Sequence, residues 1–326
     1  MSSRRDCLVN LNLQEVSTTN AGLWLDKFIR NQAEDDKKSR RSLVDDVAGI
    51  KEPDEYSLWF KRWEGTLLNY GAQCRVAEVL GRMAVGLGEE SVLETSVALH
   101  HTYGVPYIPG SAIKGLAASF ARQYLGDDWQ VDTPAYKTVF GDPDNAGYII
   151  FFDALPLPGT GHLYPDVITV HHKDYYQKGN LPPADWDNPN PVPFLSATGK
   201  YLVAIAGPAA WTNAVFEILQ HAFLELGVGA KTSSGYGRLK LKPAPSATDE
   251  DQKKADQLID QIKALKNQEI AGRIHAFYEQ WKSIAVNAEQ KRRIAEAIVT
   301  RVKEAGREKQ SKEKPWYKDL LASLVD

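Results

Sequence analysis

The order of predicted strands and helices between residues 71 and 245 restricts the fold more than any other feature. Two stretches have helical spacing of apolar residues, "SAIKGLAASFARQYLG" and "AAWTNAVFEILQHAFLELG". Around them lie five extended stretches rich in apolar residues. These are "AEVLGRMAVGLG", "GYIIFFDALPLP", "HLYPDVITVHH", "KYLVAIAG" and the basic strand that ends at Lys242. If one strand belongs to an insertion, the order is βαββαβ, which predicts an α+β, ferredoxin-like (RRM-like) fold with insertions and with helices on one face of the sheet.

The two flanks of this region have different compositions. In residues 1–70, aromatic and aliphatic residues surround the charged run "EDDKKSRRS", a pattern that predicts two helices around a solvated insertion. Residues 246–326 contain 16 Lys or Arg and 14 Asp or Glu, with helical periodicity. We therefore expect an N-terminal helical segment (1–70), a ferredoxin-like core (71–245) and a C-terminal helical extension (246–326).

The overall composition limits the class of function. The chain has 326 residues, 25% of them charged, and a formal net charge of -3. This gives no overall basic field, so any nucleic-acid binding has to be local. Cys7 and Cys74 fit neither a disulfide framework nor a zinc site, and we expect no cofactor and no metal. Since no apolar run fits a signal peptide or a membrane span, we predict a cytoplasmic protein with no membrane partner.

The stretch "GVGAKTSSGYGRLKLK", residues 227–242, combines four glycines with a basic strand. Its basic residues are Lys231, Arg238, Lys240 and Lys242. Glycines remove side-chain bulk, so the loop suits the close approach of a negatively charged backbone. Glycine-rich loops are common, however, and most of them bind nothing.

The helix start "PGSAIKG" is a second candidate site. Ser111 can cap the helix, and Lys114 lies one turn inside, an arrangement that favours a phosphate. The same residues also fit an ordinary helix cap and a solvated lysine. A Walker phosphate loop is excluded, because Gly110 is followed by Ser111 and Ala112 instead of Lys and Ser or Thr.

Two enzyme classes remain as alternatives. "SAIK" matches the SxxK motif of serine acyl-transferases, with Ser111 as nucleophile and Lys114 as base, but no SxN or YxN element follows it. A metal-independent ribonuclease could use His101 or His171 as general base, with Lys114 or Tyr103 stabilising charge. Each of these histidines belongs to an adjacent pair, and we expect one member of each pair to face a groove and the other to face the interior.

Taken together, "YGVPYIPGSAIKG" and "GVGAKTSSGYGRL" resemble the two signature regions of the RAMP superfamily, the RNA-binding proteins of CRISPR systems. The intervening stretches "FFDALP", "DVITVHHKDYY" and "PPADWDNPNPVPFL" are similar to the sixth-subunit family of the type III-B (Cmr) effector complex. The resemblance covers roughly residues 70 to 242. It does not extend to the charged N-terminal run or to the C-terminal helices.

The resemblance implies a non-catalytic subunit of an antiviral ribonucleoprotein. It would hold the 3′ region of the guide RNA and cap the filament of backbone subunits, with cleavage of target RNA assigned to another subunit. The implied partners are the CRISPR guide RNA, its target RNA and other RAMP-type subunits. The RNA-binding residues that we predict are Gly110, Ser111, Lys114, His101, Tyr103, Gly229, Lys231, Thr232, Ser233, Ser234, Gly235, Tyr236, Gly237 and Arg238. We expect the two segments that carry them to line one cleft.

Overall fold

The computed structural model describes residues 19–30, 37–89, 91–170, 175, 182, 184–186, 189–243, 247–267 and 269–324. The chain divides into two compact units, Met1–Pro243 and Ala244–Asp326. The helices of the first unit are α1 (Ala21–Lys27), α2 (Lys37–Ala48), α3 (Asp54–Asn69), α4 (Gly110–Tyr124), α5 (Pro134–Phe140) and α6 (Ala209–Glu225). Its strands are β1 (Gln73–Val79), β2 (Ile150–Phe151), β3 (Leu155–Pro156), β4 (His162–Val170), β5 (Asn190–Thr198), β6 (Lys200–Ala206) and β7 (Leu239–Leu241).

The main sheet has the strand order β2-β6-β1-β7, and β3 also pairs with β6. All of these pairings are antiparallel. In chain order, α4 follows β1 and α6 follows β6, so the elements run βαββαβ. The predicted α+β, ferredoxin-like fold is therefore confirmed.

Each face of the sheet is covered by different helices because side chains alternate along a strand. Tyr201, Val203 and Ile205 of β6 pack with the apolar sides of α4 and α6 in the main core. Their neighbours Leu202 and Ala204 point to the opposite face, where they pack with residues of α3. The sheet face that an RNA recognition motif uses as a base-stacking platform is thus covered by α3.

Strands β4 and β5 form a separate two-stranded sheet, which is the inserted strand pair. Strand β4 corresponds to the predicted strand "HLYPDVITVHH", but β5, which contains "NPVPF", is not among the strands predicted from the sequence, because its prolines favour a loop. Pro191 and Pro193 lie inside β5, opposite Thr169 and Val167. A two-stranded ribbon has two free edges, so strand residues without an N–H group are tolerated there.

Three other boundaries differ from the sequence prediction. The first strand ends at Val79, and Gly81 and Gly86 then adopt positive φ, so "GRMAVGLG" lies outside it. "GYIIFFDALPLP" forms the short strands β2 and β3 instead of one strand. Part of the charged N-terminal run lies in α2, which buries Leu43, Val44 and Val47.

The second unit consists of helices around its own core, which confirms the predicted C-terminal helical extension. The helices are α7 (Ala247–Lys263), α8 (Ile270–Ser283), α9 (Ala288–Glu304), α10 (Glu308–Ser311) and α11 (Pro315–Ala322). Ile262, Ile298 and Tyr317 are fully buried in this core. Across the described residues, no helix has the length and apolar content needed to cross a membrane.

Candidate nucleic-acid interface

The glycine-rich loop folds back on itself and is fixed to the segment that follows β1. The Val228 N–H group donates to the Gly237 carbonyl at 2.8 Å, and the Gly237 N–H group donates to the Arg82 carbonyl at 2.8 Å. The Ala230 N–H group donates to the Ala84 carbonyl at 2.7 Å. These backbone bonds hold the loop in one conformation next to β1.

Positive φ angles explain why glycine recurs in this loop. Gly229 and Gly237 have φ of +88° and +71°, and a Cβ on either residue would overlap a backbone carbonyl oxygen. Gly235 has φ of +89° but no atom within 4 Å of a Cβ position. Lys231, with φ of 58°, is the one non-glycine residue with positive φ in the described part of the chain. The left-handed region costs an L-residue roughly 1–2 kcal/mol, so the surrounding contacts must hold Lys231 there.

The loop tip presents backbone donors at the surface. Lys231 precedes a single 3-10 turn, Thr232–Ser234. Ser233, Ser234 and Gly235 are exposed. Among the described contacts, the N–H groups of Thr232 and Ser233 have no acceptor within the protein. Adjacent free N–H groups in a turn form a concavity that suits an anion.

Arg238 contacts the tip of the loop with its guanidinium group. Its Nη2 atom donates to the Thr232 carbonyl at 3.4 Å, while its Nη1 atom is buried without a partner among the described residues. The residue is half-buried. The guanidinium therefore places a fixed positive charge under the free N–H groups.

Tyr236 connects the loop to strand β4. Its hydroxyl donates to Asp166 Oδ2 at 2.7 Å, and its ring lies 6.1 Å from the ring of Phe194. Burial and this hydrogen bond raise the pKa of Tyr236 to about 12. An acidic side chain thus lies beside the loop, which the sequence reasoning did not place there.

Arg82 and Tyr164 are two further residues of this surface that the sequence reasoning missed. The Arg82 guanidinium lies over the Tyr164 ring, 3.7 Å from its centroid, and its Nη1 atom is 3.4 Å from Ser196 Oγ. The sequence offered little reason to select them, because Arg82 and Tyr164 belong to two separate predicted strands and to neither of the two signature segments. Only the packing of the β4–β5 hairpin on the loop brings them together.

The start of α4 differs from the prediction. Pro109 is the N-cap residue, with no side-chain cap hydrogen bond, so the prediction that Ser111 caps this helix is wrong. The Gly110 N–H group donates to Asp153 Oδ1 at 2.7 Å. A carboxylate therefore already occupies part of the helix end at which we expected a phosphate. Ser111 is exposed and Lys114 is half-buried.

The histidines at 100 and 101 differ in exposure. His101 is exposed, and its backbone carbonyl accepts from Asn20 Nδ2 at 2.9 Å. His100 is half-buried with its ring 5.4 Å from that of Tyr103, and burial lowers the pKa of His100 despite the opposing effect of Asp153. The other candidate general base, His171, lies outside the described residues.

Tyr103 belongs to an aromatic cluster on the α3 side of the sheet. Its ring lies 4.8 Å from the ring of Trp59 and 5.6 Å from the ring of Tyr56. Tyr103 is therefore a half-buried packing residue. Any contact with RNA would use only its exposed edge.

The two predicted segments border opposite edges of the sheet. Gly110 lies against Phe151 of β2, whereas the glycine-rich loop leads into β7. Three inter-strand spacings separate β2 from β7, which corresponds to about 14 Å. The packing therefore separates the segments into two surfaces, and it does not support a single cleft.

The geometry does not favour the serine acyl-transferase alternative or a metal site. In the described part of the chain, neither Ser111 nor Lys114 has a side-chain hydrogen bond, so the nucleophile and the base of the SxxK motif are not paired. Among the described residues, no group of three His, Cys, Asp or Glu side chains could hold a metal ion. The glycine-rich loop and the residues around Arg82 remain the best-formed candidate site.

Comparisons with known proteins place the chain in a family. The family model of the RAMP superfamily matches residues 76–240. The chain is 32% identical to the CRISPR system Cmr subunit Cmr6 of Pyrococcus furiosus, in an alignment that covers 48% of this chain and 64% of that protein. It is 26% identical to the Cmr6 subunit of Saccharolobus solfataricus, over 36% of this chain and 39% of that protein. The chain thus spans less than two thirds of either relative.

A solved structure shares the fold. One chain of the cryo-EM structure of the type III-B Cmr-beta complex bound to cognate target RNA superposes with a TM-score of 0.52 at 17% identity. The superposition covers 73% of this chain and 93% of that chain.

Proposed function

Because the chain belongs to the RAMP superfamily, we propose that it is a non-catalytic, RNA-binding subunit of a type III-B CRISPR effector complex. In this role it holds the 3′ region of the guide RNA and caps the filament of backbone subunits. Its similarity to Cmr6 proteins supports the type of complex. Its partners are the guide RNA, the target RNA and neighbouring RAMP-type subunits.

The conformation of the glycine-rich loop is the observation that carries this proposal. The exposed tip offers the free N–H groups of Thr232 and Ser233, with Lys231 beside them and Arg238 beneath. These groups complement phosphate oxygens and contact no base edge. A guide RNA of any sequence can therefore bind, and its bases remain free to pair with a target.

The covered sheet supports the same binding mode. Helix α3 covers the sheet face on which a stacking platform would lie, and its Phe60 and Trp63 pack in the same cluster as Leu202 and Ala204 of β6. Sequence reading by a stacking platform is thereby disfavoured. Phosphate contacts dominate, and affinity should depend steeply on salt.

The direct test is guide retention by the assembled complex that contains Lys114→Ala, Lys231→Ala and Arg238→Ala together. If all three residues contact phosphates, the slope of log K against log salt should fall by about 2, since each contact to a single strand contributes about 0.7. Filter binding over a salt series measures this slope. Unchanged retention and an unchanged slope would refute the assignment.

A control variant removes the same charge elsewhere. Lys254, Lys263 and Arg273 are exposed on the second unit, and their triple alanine variant also lowers the net charge by three. We expect this control to retain guide RNA as the wild-type protein does. Equal losses in both variants would show that only the overall charge matters.

The ribonuclease alternative has its own test. His101 is exposed, and its ring has no hydrogen bond among the described residues. A general base must be aligned with the proton that it removes. We therefore expect the purified protein to leave RNA intact without metal across the neutral pH range. Cleavage that His101→Ala abolishes would replace the non-catalytic assignment.

A further inference from the structure

A cavity of about 270 Å³ lies beside the β4–β5 hairpin and is not explained by the proposed phosphate contacts. It is lined by residues 48–52, at the end of α2 and in the link to α3, and by residues 159 and 161–164, just before and at the start of β4. Lys51, Glu52, His162 and Tyr164 contribute the polar and aromatic side chains. We call this cavity the Tyr164 pocket.

Glycine backbone forms much of the pocket wall. Gly49, Gly159 and Gly161 line it, so main-chain atoms replace side chains at these positions. Gly159 has φ of +74°, and its N–H group donates to Glu52 Oε1 at 3.0 Å. A Cβ on Gly161 would lie 2.8 Å from Pro156 Cβ. The turn that opens the pocket therefore depends on glycine.

Tyr164 connects the pocket with the glycine-rich loop. Tyr164 lines the pocket, and the Arg82 guanidinium, which does not line it, stacks on the Tyr164 ring. The Arg82 carbonyl in turn accepts the Gly237 N–H group of the loop. One continuous surface thus leads from the loop, past Arg82, to the pocket.

The charges of this surface favour an anionic chain. The two carboxylates on it already accept hydrogen bonds, Glu52 from the Gly159 N–H group and Asp166 from the Tyr236 hydroxyl. Lys51 is exposed and has no ion pair among the described residues. Both carboxylates keep their negative charge, but they are outnumbered by four basic side chains along the same path, Lys51, Arg82, Lys231 and Arg238.

We propose that the Tyr164 pocket receives one base of a single-stranded RNA whose phosphates lie along Lys51, Arg82 and the glycine-rich loop. This inference rests on the proposed function and specifies which part of the RNA the same surface holds. The base stacks on the Tyr164 ring, whose other partner is the Arg82 guanidinium. Because every base has a π-face, the pocket accepts bases of any sequence.

Size and chemistry distinguish a base from other ligands. The volume lies just below the 300–1,000 Å³ of pockets for drug-sized molecules, so a single flat ring system fits better than a larger cofactor. Glu52 disfavours a free phosphate inside the pocket because both are negative. The base therefore stacks on Tyr164 inside the pocket, and Lys51 contacts a phosphate at the edge of the pocket.

The test uses the full-length protein and a fluorescein-labelled twelve-nucleotide uridine oligomer. Tyr164→Ala should weaken binding by roughly 5- to 140-fold, the range for loss of one base–aromatic stack. The salt slope should not change, because no charge is lost. Tyr164→Phe keeps the ring and should bind as the wild-type protein does. Lys51→Ala should lower the slope by about 0.7.

Tyr148→Ala is the matched control, since Tyr148 is 73% exposed and precedes β2 at the other edge of the sheet. Its affinity should equal that of the wild-type protein. A second, direct readout is photocrosslinking of an oligomer that contains 5-iodouridine, followed by peptide mapping. We expect crosslinks in the peptide that contains Tyr164 as well as in the loop.

The outcomes distinguish failure of the proposed function from failure of this inference alone. If the wild-type protein and the assembled complex bind no RNA, the proposed function fails, and this inference fails with it. If RNA binds but Tyr164→Ala has wild-type affinity, or crosslinks map only to residues 227–238, this inference alone is overturned. A weakened Tyr164→Ala variant with an unchanged salt slope and a normal Tyr164→Phe variant supports it.

Discussion

Replacement of Gly237 by alanine should destabilise the first unit much more than the same replacement of Gly235. The two glycines are two residues apart in one loop and have similar φ angles, +71° and +89°. They differ in what a methyl group would meet. A Cβ on Gly237 would overlap the Val228 carbonyl oxygen, whereas a Cβ on Gly235 has no atom within 4 Å.

The expected difference follows from these contacts. Both variants place alanine in the left-handed region, at a cost of about 1–2 kcal/mol. Gly237→Ala must also displace the backbone that makes two hydrogen bonds, from Val228 to Gly237 and from Gly237 to Arg82. Each of these bonds contributes about 0.5–1.5 kcal/mol. We therefore expect a loss of about 2–5 kcal/mol for Gly237→Ala and about 1–2 kcal/mol for Gly235→Ala.

The measurement should report on the first unit alone. Hydrogen-exchange mass spectrometry of peptides from β1 and β6, over a urea series, gives its free energy of unfolding separately from that of the helical unit. A difference of about 2 kcal/mol corresponds to roughly 4–8 °C in the melting temperature of a unit of this size. If Gly235→Ala is as destabilising as Gly237→Ala, the argument from backbone overlap is wrong.

Three further outcomes follow from individual contacts. Tyr236→Phe removes a hydrogen bond to a carboxylate and should destabilise the first unit by about 1.5–3 kcal/mol in the same assay. Burial lowers the pKa of His100 in the folded chain. As the pH falls, the unfolded chain therefore binds a proton at His100 at a higher pH than the folded chain does. Stability should be complete above the ordinary value of 6.5 and should fall as the pH drops below it, and His100→Gln should flatten this part of the stability–pH profile. Residues 244–326 have their own core and should give a helical circular dichroism spectrum with a cooperative melt when expressed alone, whereas a non-cooperative melt would contradict this.

Apolar periodicity made the helices predictable before any coordinates. The apolar residues of α4 and α6 recur at helical spacing, and the observed helices begin and end within two residues of the predicted stretches. Helix α4 ends just before Gly126, which has φ of +81°, a conformation that glycine readily adopts after a helix. These features depend on neighbours along the chain, so sequence reasoning can find them.

The resemblance to the RAMP superfamily likewise depended on short local segments, and the family-model match confirms it. The roles of individual functional residues were harder to predict from the sequence. Ser111 fits the composition of an N-cap, yet Pro109 occupies that position, and Asp153 in the link between β2 and β3 accepts from the Gly110 N–H group. A residue 43 positions away decided the chemistry of this helix end.

The sequence by itself determined the βαββαβ order of the core elements and, to within two residues, the extents of α4 and α6. Only the tertiary structure decided which groups meet: Asp166 with Tyr236, Arg82 with Tyr164, and Lys51 with the Tyr164 pocket. The physical reason is range. Periodicity and φ preferences act within a few residues, whereas the pairing of the β4–β5 hairpin with the loop joins segments about 70 residues apart, as between Asp166 and Tyr236.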